Sequence, residues 1–132
     1  MLRILFITLC SLLLSSVAGA AAIDMTCKSK KSIGFRNDIA SKSEWSEEQF
    51  NDTWRIQYDG VSGEALLDGR AVQAVKVNNT LILVQYDANE TAQSVWSYAI
   101  FMPTKEMTAS QVNVYDVMGV GLKSRIVEFV CS

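Results

Sequence analysis

Apolar and polar residues alternate with a period of two along most of the chain after residue 22, and helical periodicity is scarce there. The clearest alternating stretch is 71–86, which is interrupted by Asn78 and Asn79. Asparagine tolerates the left-handed backbone conformation that a two-residue hairpin turn requires. The pattern therefore predicts a β-hairpin with its turn at these two residues.

Further segments rich in β-branched and aromatic residues also predict strands, and they cover residues 25–31, 53–59, 94–102, 111–118 and 125–131. Turn-forming residues separate them, namely Gly60, Gly63, Gly69, the stretch 87–90, Pro103 with Thr104, and Gly119 with Gly121. Short strands with a turn about every ten residues are typical of all-β domains. We therefore predict an all-β fold, a small antiparallel barrel or sandwich of roughly six to eight strands.

The segment 125–131 shows the most regular alternation near the end of the chain. Val127, Phe129 and Cys131 share one face of this strand, and we predict that this face points to the core. In that orientation Cys131 would lie beside Cys27 of the first predicted strand.

Residues 43–52 are the one stretch whose composition suits a short helix. Ser43 would cap its N-terminus, and the acidic residues that follow would suit its first turns. Trp45 and Phe50 would then point to the core. Residues 105–110 are a weaker helical alternative to a strand.

The first 22 residues have the three-part layout of a cleavable secretory signal peptide. Arg3 precedes an apolar run over residues 4–17, which is shorter than the ~20 residues needed to span a bilayer. Small residues then offer two cleavage sites, after Ala20 and after Ala22. Cleavage would leave a single β-rich domain of residues 23–132 in the periplasm or outside the cell, without stable insertion in a membrane.

The cysteines of the expected mature domain are Cys27 and Cys131, because Cys10 lies in the apolar run and leaves with it. An even number of cysteines in an exported domain predicts a disulfide, since export places thiols in an oxidising compartment. This bond would close a loop of about 100 residues and remove denatured-state entropy worth roughly 4.7 kcal/mol. The disulfide would therefore join the two termini and stabilise a small domain.

The charge of the chain argues against a nucleic-acid partner. The sequence has 12 basic and 14 acidic residues, and loss of Arg3 alone changes the net charge from −2 to −3. Proteins that bind nucleic acid normally need a clustered basic face. The basic cluster in this sequence is Lys28, Lys30 and Lys31, which suits a solvated strand edge, where lysines discourage edge-to-edge pairing.

The sequence contains no histidine, which removes most zinc sites and the usual activated nucleophiles. Phosphate-binding glycine loops and calcium-binding spacings of acids are also missing from the sequence. Glu47 and Glu48 are adjacent and would diverge on a helix or a strand, so they suit glycosidase chemistry poorly. We therefore predict no enzymatic activity, no catalytic residue, no cofactor and no metal site.

The aromatic residues allow two interpretations. Trp96 and Tyr98 would share one strand face, and Tyr86 of the neighbouring strand is expected to reach them. Such a group forms either an apolar pocket or contact patch, whose hydroxyl and indole N–H groups can form hydrogen bonds, or a core filled with large rings. We favour the filled core, because large apolar side chains are mostly buried.

The two ends of the chain carry a resemblance to known proteins. The segment 27–35, then Trp45 and Phe50, and the closing segment 128–131 resemble a group of small exported proteobacterial β-barrel proteins of uncharacterised function. The resemblance implies an exported domain with a disulfide bond, and it implies no catalytic residues. The segment 62–65 is also faintly similar to a loop of the periplasmic inhibitors of c-type lysozyme, which are small disulfide-bonded β-barrels.

Three functions follow from these expectations. The first is a non-enzymatic binding module that engages another protein, as a hydrolase inhibitor or a protector of the envelope. The second is a carrier of a small apolar ligand inside a β-barrel, which requires small inward side chains. The third and least favoured is a hydrolase that uses only carboxylates. The sequence names no binding residue and no oligomeric state.

Overall fold

The computed structural model describes residues 22–37, 44–116 and 120–132. These residues form nine strands, which in chain order are β1 (Ile23–Asn37), β2 (Glu44–Glu47), β3 (Thr53–Tyr58), β4 (Ala65–Leu67), β5 (Arg70–Val77), β6 (Thr80–Ala88), β7 (Ala92–Phe101), β8 (Glu106–Asp116) and β9 (Val120–Cys131). The fold is therefore all-β, as the alternating pattern predicts. The predicted signal peptide and its two cleavage sites involve residues 1–21, which lie outside the described residues.

The strands form one antiparallel sheet that closes on itself as a barrel. Neighbours follow the order β1, β3, β4, β5, β6, β7, β8 and β9, and β9 pairs back onto β1 to complete eight strands. Strand β2 lies outside this ring and pairs with the second half of β1. Closure satisfies the backbone hydrogen bonds that open sheet edges would leave unpaired. The barrel, rather than the sandwich, is the architecture.

Strand β1 changes its partner halfway along. Its first half pairs with β3, from Ile23 to Lys28, and its second half pairs with β2, from Ile33 to Arg36. Its other edge pairs with β9 from Cys27 to Asn37, across an irregularity between Ser29 and Lys31. The bend at this bulge sets β2 apart from the barrel wall. The chain between β2 and β3 runs beside this bulge, where the Ser29 N–H donates to the Asp52 carbonyl and the Glu48 N–H donates to the Ser32 carbonyl.

The predicted hairpin is confirmed, because β5 and β6 pair across Asn78 and Asn79. Asn78 has a φ of 51°, the left-handed conformation that this turn needs. A second two-residue turn joins β4 to β5 at Asp68 (φ 48°) and Gly69 (φ 78°). The sequence did not predict β4 as a strand, because its three residues lie between turn signals and are too short to show alternation.

Inward-facing residues of the barrel strands pack into a single core. On β9, Val127, Phe129 and Cys131 are buried while Ile126 and Val130 are exposed, which confirms the predicted inward face. The largest fully buried side chains are Tyr98, Phe129, Ile56, Leu81, Leu83, Ile100, Met107 and Val127. Large side chains therefore fill the barrel at this level.

The predicted disulfide between Cys27 and Cys131 is present and joins the ends of the domain. The two residues are direct partners in the β1–β9 ladder. Next to them, Thr26 and Ser132 exchange two backbone hydrogen bonds of 2.9 Å each, so the cysteines occupy a non-hydrogen-bonded pair, where side chains lie closest. Both cysteines are buried in the core.

Two local predictions are wrong. The short helix predicted within 43–52 is replaced over its described residues by β2 and an irregular connection, because pairing with β1 overrides the local helical signal. Trp45 is 51% exposed and packs on Phe35 instead of the core. The lysine cluster at 28–31 is solvated, as expected; Lys28 pairs with both β3 and β9, whereas Lys31 has a strand partner only on β9. Phe50 does reach the core, as predicted.

Candidate binding surfaces

The inside of the barrel changes from apolar to polar along its axis. One row of cross-strand partners is Leu81, Ile100, Met107 and Phe129, and the next is Leu83, Tyr98, Ala109 and Val127. The following row is Gln85, Trp96, Gln111, Arg125 and Gly34, and the last described one includes Asp87, Ser94 and Asn113. We call the end of the barrel that contains these polar rows the mouth. Several polar side chains that face inward at this end mark it as a candidate binding site.

A short connection between β2 and β3 crosses the mouth, and we call residues 48–52 the strap. The Ser29 hydroxyl donates to the carbonyl oxygen of Phe50 at 2.6 Å, and the backbone N–H of Asp52 donates to the same hydroxyl at 3.1 Å. The Phe50 ring packs against Trp54, Trp96 and Phe129 at centroid distances of 5.8, 6.1 and 6.2 Å. The strap therefore inserts one aromatic ring between the core and the mouth.

Glu48 at the start of the strap forms an ion pair with Arg125 of β9, and we call this ion pair the latch. Arg125 donates from both Nε and Nη2 to the two carboxylate oxygens, and the Ser32 hydroxyl donates to the same carboxylate at 3.2 Å. The guanidinium also lies 4.8 Å from the centre of the Phe50 ring. The side chains are only 16% and 23% exposed, so water screens the pair weakly. Hydrogen bonding and charge from Arg125 hold the pKa of Glu48 below its ordinary value.

Gly34 makes room for the latch. A Cβ atom at this position would lie 2.7 Å from Cδ of Glu48 and 2.8 Å from both of its carboxylate oxygens. The carboxylate is held by Arg125, so it cannot move away without loss of the ion pair. Glycine at this position is therefore required by close approach rather than by backbone conformation.

We expect Gly34→Ala to destabilise the fold by about 1–2 kcal/mol, since the new methyl group displaces Glu48 from Arg125. In the Glu48→Ala background the same substitution should be neutral or stabilising, because alanine suits a strand better than glycine by roughly 0.5–1 kcal/mol. Urea unfolding of the four proteins in this mutant cycle measures both effects. If Gly34→Ala lowers the free energy of unfolding equally in both backgrounds, the role given to Gly34 is contradicted.

The other half of the mouth contains a cavity of about 230 Å³, which we call the mouth cavity. Residues from five strands and one turn line it, namely Trp54, Leu67, Asp68, Arg70, Gln85, Trp96 and Tyr98. Its base is aromatic: Trp54 packs edge-on against Trp96 at 5.3 Å and against Tyr98 at 5.1 Å, while Trp96 and Tyr98 stack with a 7° interplanar angle. Trp96 and Tyr98 thus share a face as predicted, and belong both to the core and to a pocket. The expected third member, Tyr86, faces outward and is 60% exposed.

Hydrogen bonds hold the polar groups of the mouth cavity in place. Asp87 accepts from Arg70 at 3.3 Å and from the Gln85 amide at 2.9 Å, and the Tyr98 hydroxyl donates to Gln85 Oε1 at 3.3 Å. Asp68 accepts the backbone N–H of Arg55 at 2.7 Å, which fixes its carboxylate at the rim. Burial, together with the charges of Asp87 and Asp68, raises the pKa of Tyr98, so its hydroxyl stays protonated. No local pattern in the sequence indicates this group, because its residues come from distant strands.

The outer surface of the barrel carries a second candidate site on β5–β8, which we call the apolar stripe. It consists of Val75, Ile82, Val84, Tyr86, Val95, Val112 and Val114, all of them exposed. Cross-strand pairing makes it continuous, since Val75 lies opposite Ile82 and Tyr86 lies opposite Val95, which in turn lies opposite Val112. Contiguous exposed apolar patches of this kind mark interaction sites.

The outer face of β5–β8 is free of charged residues over the length of the apolar stripe, and the nearest outward-facing charges, Glu106 and Glu128, lie beside Thr108 at its border. The outward-facing positions of β5 from 71 to 77, of β6 from 80 to 88, of β7 from 93 to 101 and of β8 from 108 to 114 contain no Asp, Glu, Lys or Arg. This is a strong local depletion, because 20% of the residues in the chain are charged. Polar neutral residues provide the hydrogen-bonding groups instead, for example Ser97 and Ser110, whose hydroxyls lie 2.6 Å apart.

Other features of the described residues offer less to a binding site. A larger depression of about 490 Å³ lies between β1, β3, β4 and β5, and borders Ala22, the first described residue. Within residues 22–37, 44–116 and 120–132, no group of three or more Cys, Asp or Glu side chains is placed to hold a metal ion. The same described ranges contain no helix that is long and apolar enough to cross a membrane.

Comparisons of the chain with protein-family models, with curated proteins and with solved structures give no significant match.

Proposed function

We propose that this protein is a non-enzymatic binding module, exported to the periplasm or outside the cell, which engages another protein through the apolar stripe. The observation that carries the proposal is the uncharged, apolar outer face of β5–β8. The centre of a protein–protein interface is depleted of charge in the same way. The partner is accordingly a folded protein that presents an uncharged apolar surface of its own.

The size of the apolar stripe suits the centre of such an interface. Four strands spaced about 4.8 Å apart and about six residues of each strand, at about 3.4 Å per residue, cover roughly 19 by 20 Å. This area of about 400 Å² is half of the roughly 800 Å² that each partner buries in a standard interface. The polar neutral side chains around the stripe, among them Gln73, Gln93 and Thr108, would supply the rim.

The filled barrel favours this function over the carriage of an apolar ligand. The core level is occupied by large side chains, and the cavity above it is small, with the charged and amide groups of Asp68, Arg70 and Gln85 around its aromatic base. A ligand chamber for an apolar molecule needs a wide interior with apolar walls. The disulfide is compatible with an extracytoplasmic site of action, where thiols are oxidised.

Site-specific photocrosslinking tests the proposal in the cell that makes the protein. A photoreactive phenylalanine analogue at Val84 should give a discrete adduct whose mass equals that of this chain plus one partner. The same analogue at Thr26, an exposed position on the opposite wall of the barrel, should give none. Val95→Glu should abolish the adduct at position 84, because a charge in the apolar centre of an interface is not solvated.

Val95 is 41% exposed, so the glutamate should leave the urea unfolding midpoint of the purified chain unchanged. Absence of an adduct at position 84 would contradict the proposal. An adduct of twice the chain mass as the sole product would also contradict it, since the stripe would then pair with a second copy.

A further inference from the structure

We propose that the mouth cavity binds one neutral sugar ring, which would lie on the aromatic base formed by Trp54 and Trp96, with the polar side chains of the rim around its hydroxyls. This site is separate from the apolar stripe, and the inference does not depend on the function proposed for that surface. Three properties of the cavity support it, namely the chemistry of its lining, the fixed positions of its polar groups and its volume.

The lining combines aromatic rings with hydrogen-bonding groups of both kinds. Asp68 offers carboxylate oxygens that accept, Arg70 offers guanidinium N–H groups that donate, and Gln85 has an amide that does both. A sugar ring presents the complementary pattern, since each hydroxyl both donates and accepts while its C–H groups form apolar patches. Hydrogen bonds to charged groups are the stronger ones, which favours hydroxyls that meet this carboxylate and this guanidinium.

The charges of the lining disfavour other classes of ligand. Asp87 lies 3.3 Å from Arg70 and offsets the guanidinium charge that an anion would need, and Arg70 in the same wall as Asp68 disfavours a cation. A purely apolar ligand would leave the charged and amide groups without partners, which costs free energy. A neutral molecule rich in hydroxyl groups can satisfy all of these groups together.

The polar groups are held in position before a ligand arrives. Asp87, Gln85 and the Tyr98 hydroxyl form one chain of hydrogen bonds, with Gln85 bonded to both neighbours. Asp68 is fixed by the backbone N–H of Arg55 and by the tight turn in which it lies. A preorganised site loses less side-chain entropy on binding.

The volume of the cavity limits the ligand to a single ring. About 230 Å³ holds roughly eight waters at ~30 Å³ each. Sites for drug-sized ligands occupy about 300–1,000 Å³. The cavity is open to solvent at the rim, so the ring is either a free monosaccharide or the terminal residue of a longer glycan whose remainder stays outside.

The test is a two-dimensional NMR titration of the disulfide-bonded chain with methyl glucoside, methyl mannoside, methyl galactoside and N-acetylglucosamine. At least one of them should shift the indole N–H signals of Trp54 and Trp96 together with the Gln85 amide, with millimolar affinity. The same sugar at the end of a trisaccharide distinguishes the two sources. If the trisaccharide binds with the same affinity as the monosaccharide, the ligand is a free monosaccharide. If the trisaccharide binds more tightly, the ligand is the terminal residue of a glycan.

Asp68→Asn is the informative variant, because an asparagine keeps the acceptor for Arg55 and tolerates the left-handed turn while it removes the charge. It should weaken sugar binding at least tenfold without a change in the unfolding curve. Glu128→Gln removes a carboxylate from the outer surface of β9 and should leave sugar binding unchanged.

Three results would overturn the inference. One is that no sugar of the panel shifts the signals of the mouth at tens of millimolar. Another is that the Asp68→Asn variant binds as tightly as the parent chain. The last is that butylammonium, a cation of similar size, shifts the same signals with higher affinity than every sugar, which would identify a cation site.

Discussion

Replacement of both Cys27 and Cys131 by alanine should lower the free energy of unfolding by about 4–5 kcal/mol. The bond spans 104 residues of chain, so its loss frees almost the whole domain in the denatured state. In the chain-entropy description a loop of about 100 residues corresponds to roughly 4.7 kcal/mol. Alanine is the appropriate substitute, because both positions are buried and a serine hydroxyl would add a separate cost. Such a loss is comparable with the lower end of the ~5–15 kcal/mol by which folded domains are stable.

Urea unfolding followed by tryptophan fluorescence measures this change. The parent chain treated with a reductant should shift to the unfolding curve of the double alanine variant, while the variant itself should not respond to the reductant. The slope of the transition should also rise, because the uncrosslinked denatured chain exposes more surface. If the variant and the oxidised parent unfold at the same urea concentration, the bond does not have this role.

Local patterns explain which parts of this fold were predictable. The turn at Asn78 and Asn79 carries its own backbone requirement, and the alternation of 125–131 fixes its inward face. The disulfide follows from the number of cysteines and the expected compartment, and the register of β1 against β9 then places Cys27 opposite Cys131. Each of these signals lies within a few neighbouring residues or depends on composition alone.

Closure into a barrel depends on pairings between distant segments and could not be predicted. The pairing partner of β1 changes from β3 to β2 at a bulge near Ser29, and no local sequence pattern predicts that change. The same exchange makes 44–47 a strand and leaves Trp45 outside the core, although the segment alone suits a helix. Here tertiary pairing overrides local propensity.

The candidate sites were hidden for related reasons. On β6, Leu81 and Leu83 face the core while Ile82 and Val84 lie on the apolar stripe, so both faces of the strand are apolar. Alternation of hydrophobicity cannot assign the faces of such a strand, and a one-residue shift would exchange them. Because of the same ambiguity, Tyr86 was expected on the inward face with Trp96 and Tyr98, whereas it faces outward. In the mouth, Glu48 and Arg125 are 77 residues apart, and only the strap brings them together.

Arg125→Met should destabilise the fold by about 2–3 kcal/mol at neutral pH. The substitution keeps most of the apolar stem but leaves the Glu48 carboxylate without its charged donor in a site that is largely shielded from water. Loss of one partner of a fully buried ion pair costs about 3–5 kcal/mol, and partial exposure of the latch places its cost below that range. Arg55→Met breaks the ion pair with Asp24, whose side chains are more than half exposed, and should change stability little.

The effect of Arg125→Met should also depend on pH. A carboxyl whose pKa is lowered in the folded state stabilises the fold above its unfolded pKa, and this stabilisation disappears as the pH falls through the folded value. Arg125 lowers the pKa of Glu48, so the stability difference between parent and variant should be complete at neutral pH. It should shrink as the pH falls below about 4.3, the ordinary value for glutamate. Urea unfolding of both proteins across this range measures the difference, and a gap that stays constant into acid would show that Arg125 acts through packing on Phe50 instead of through the charge of Glu48.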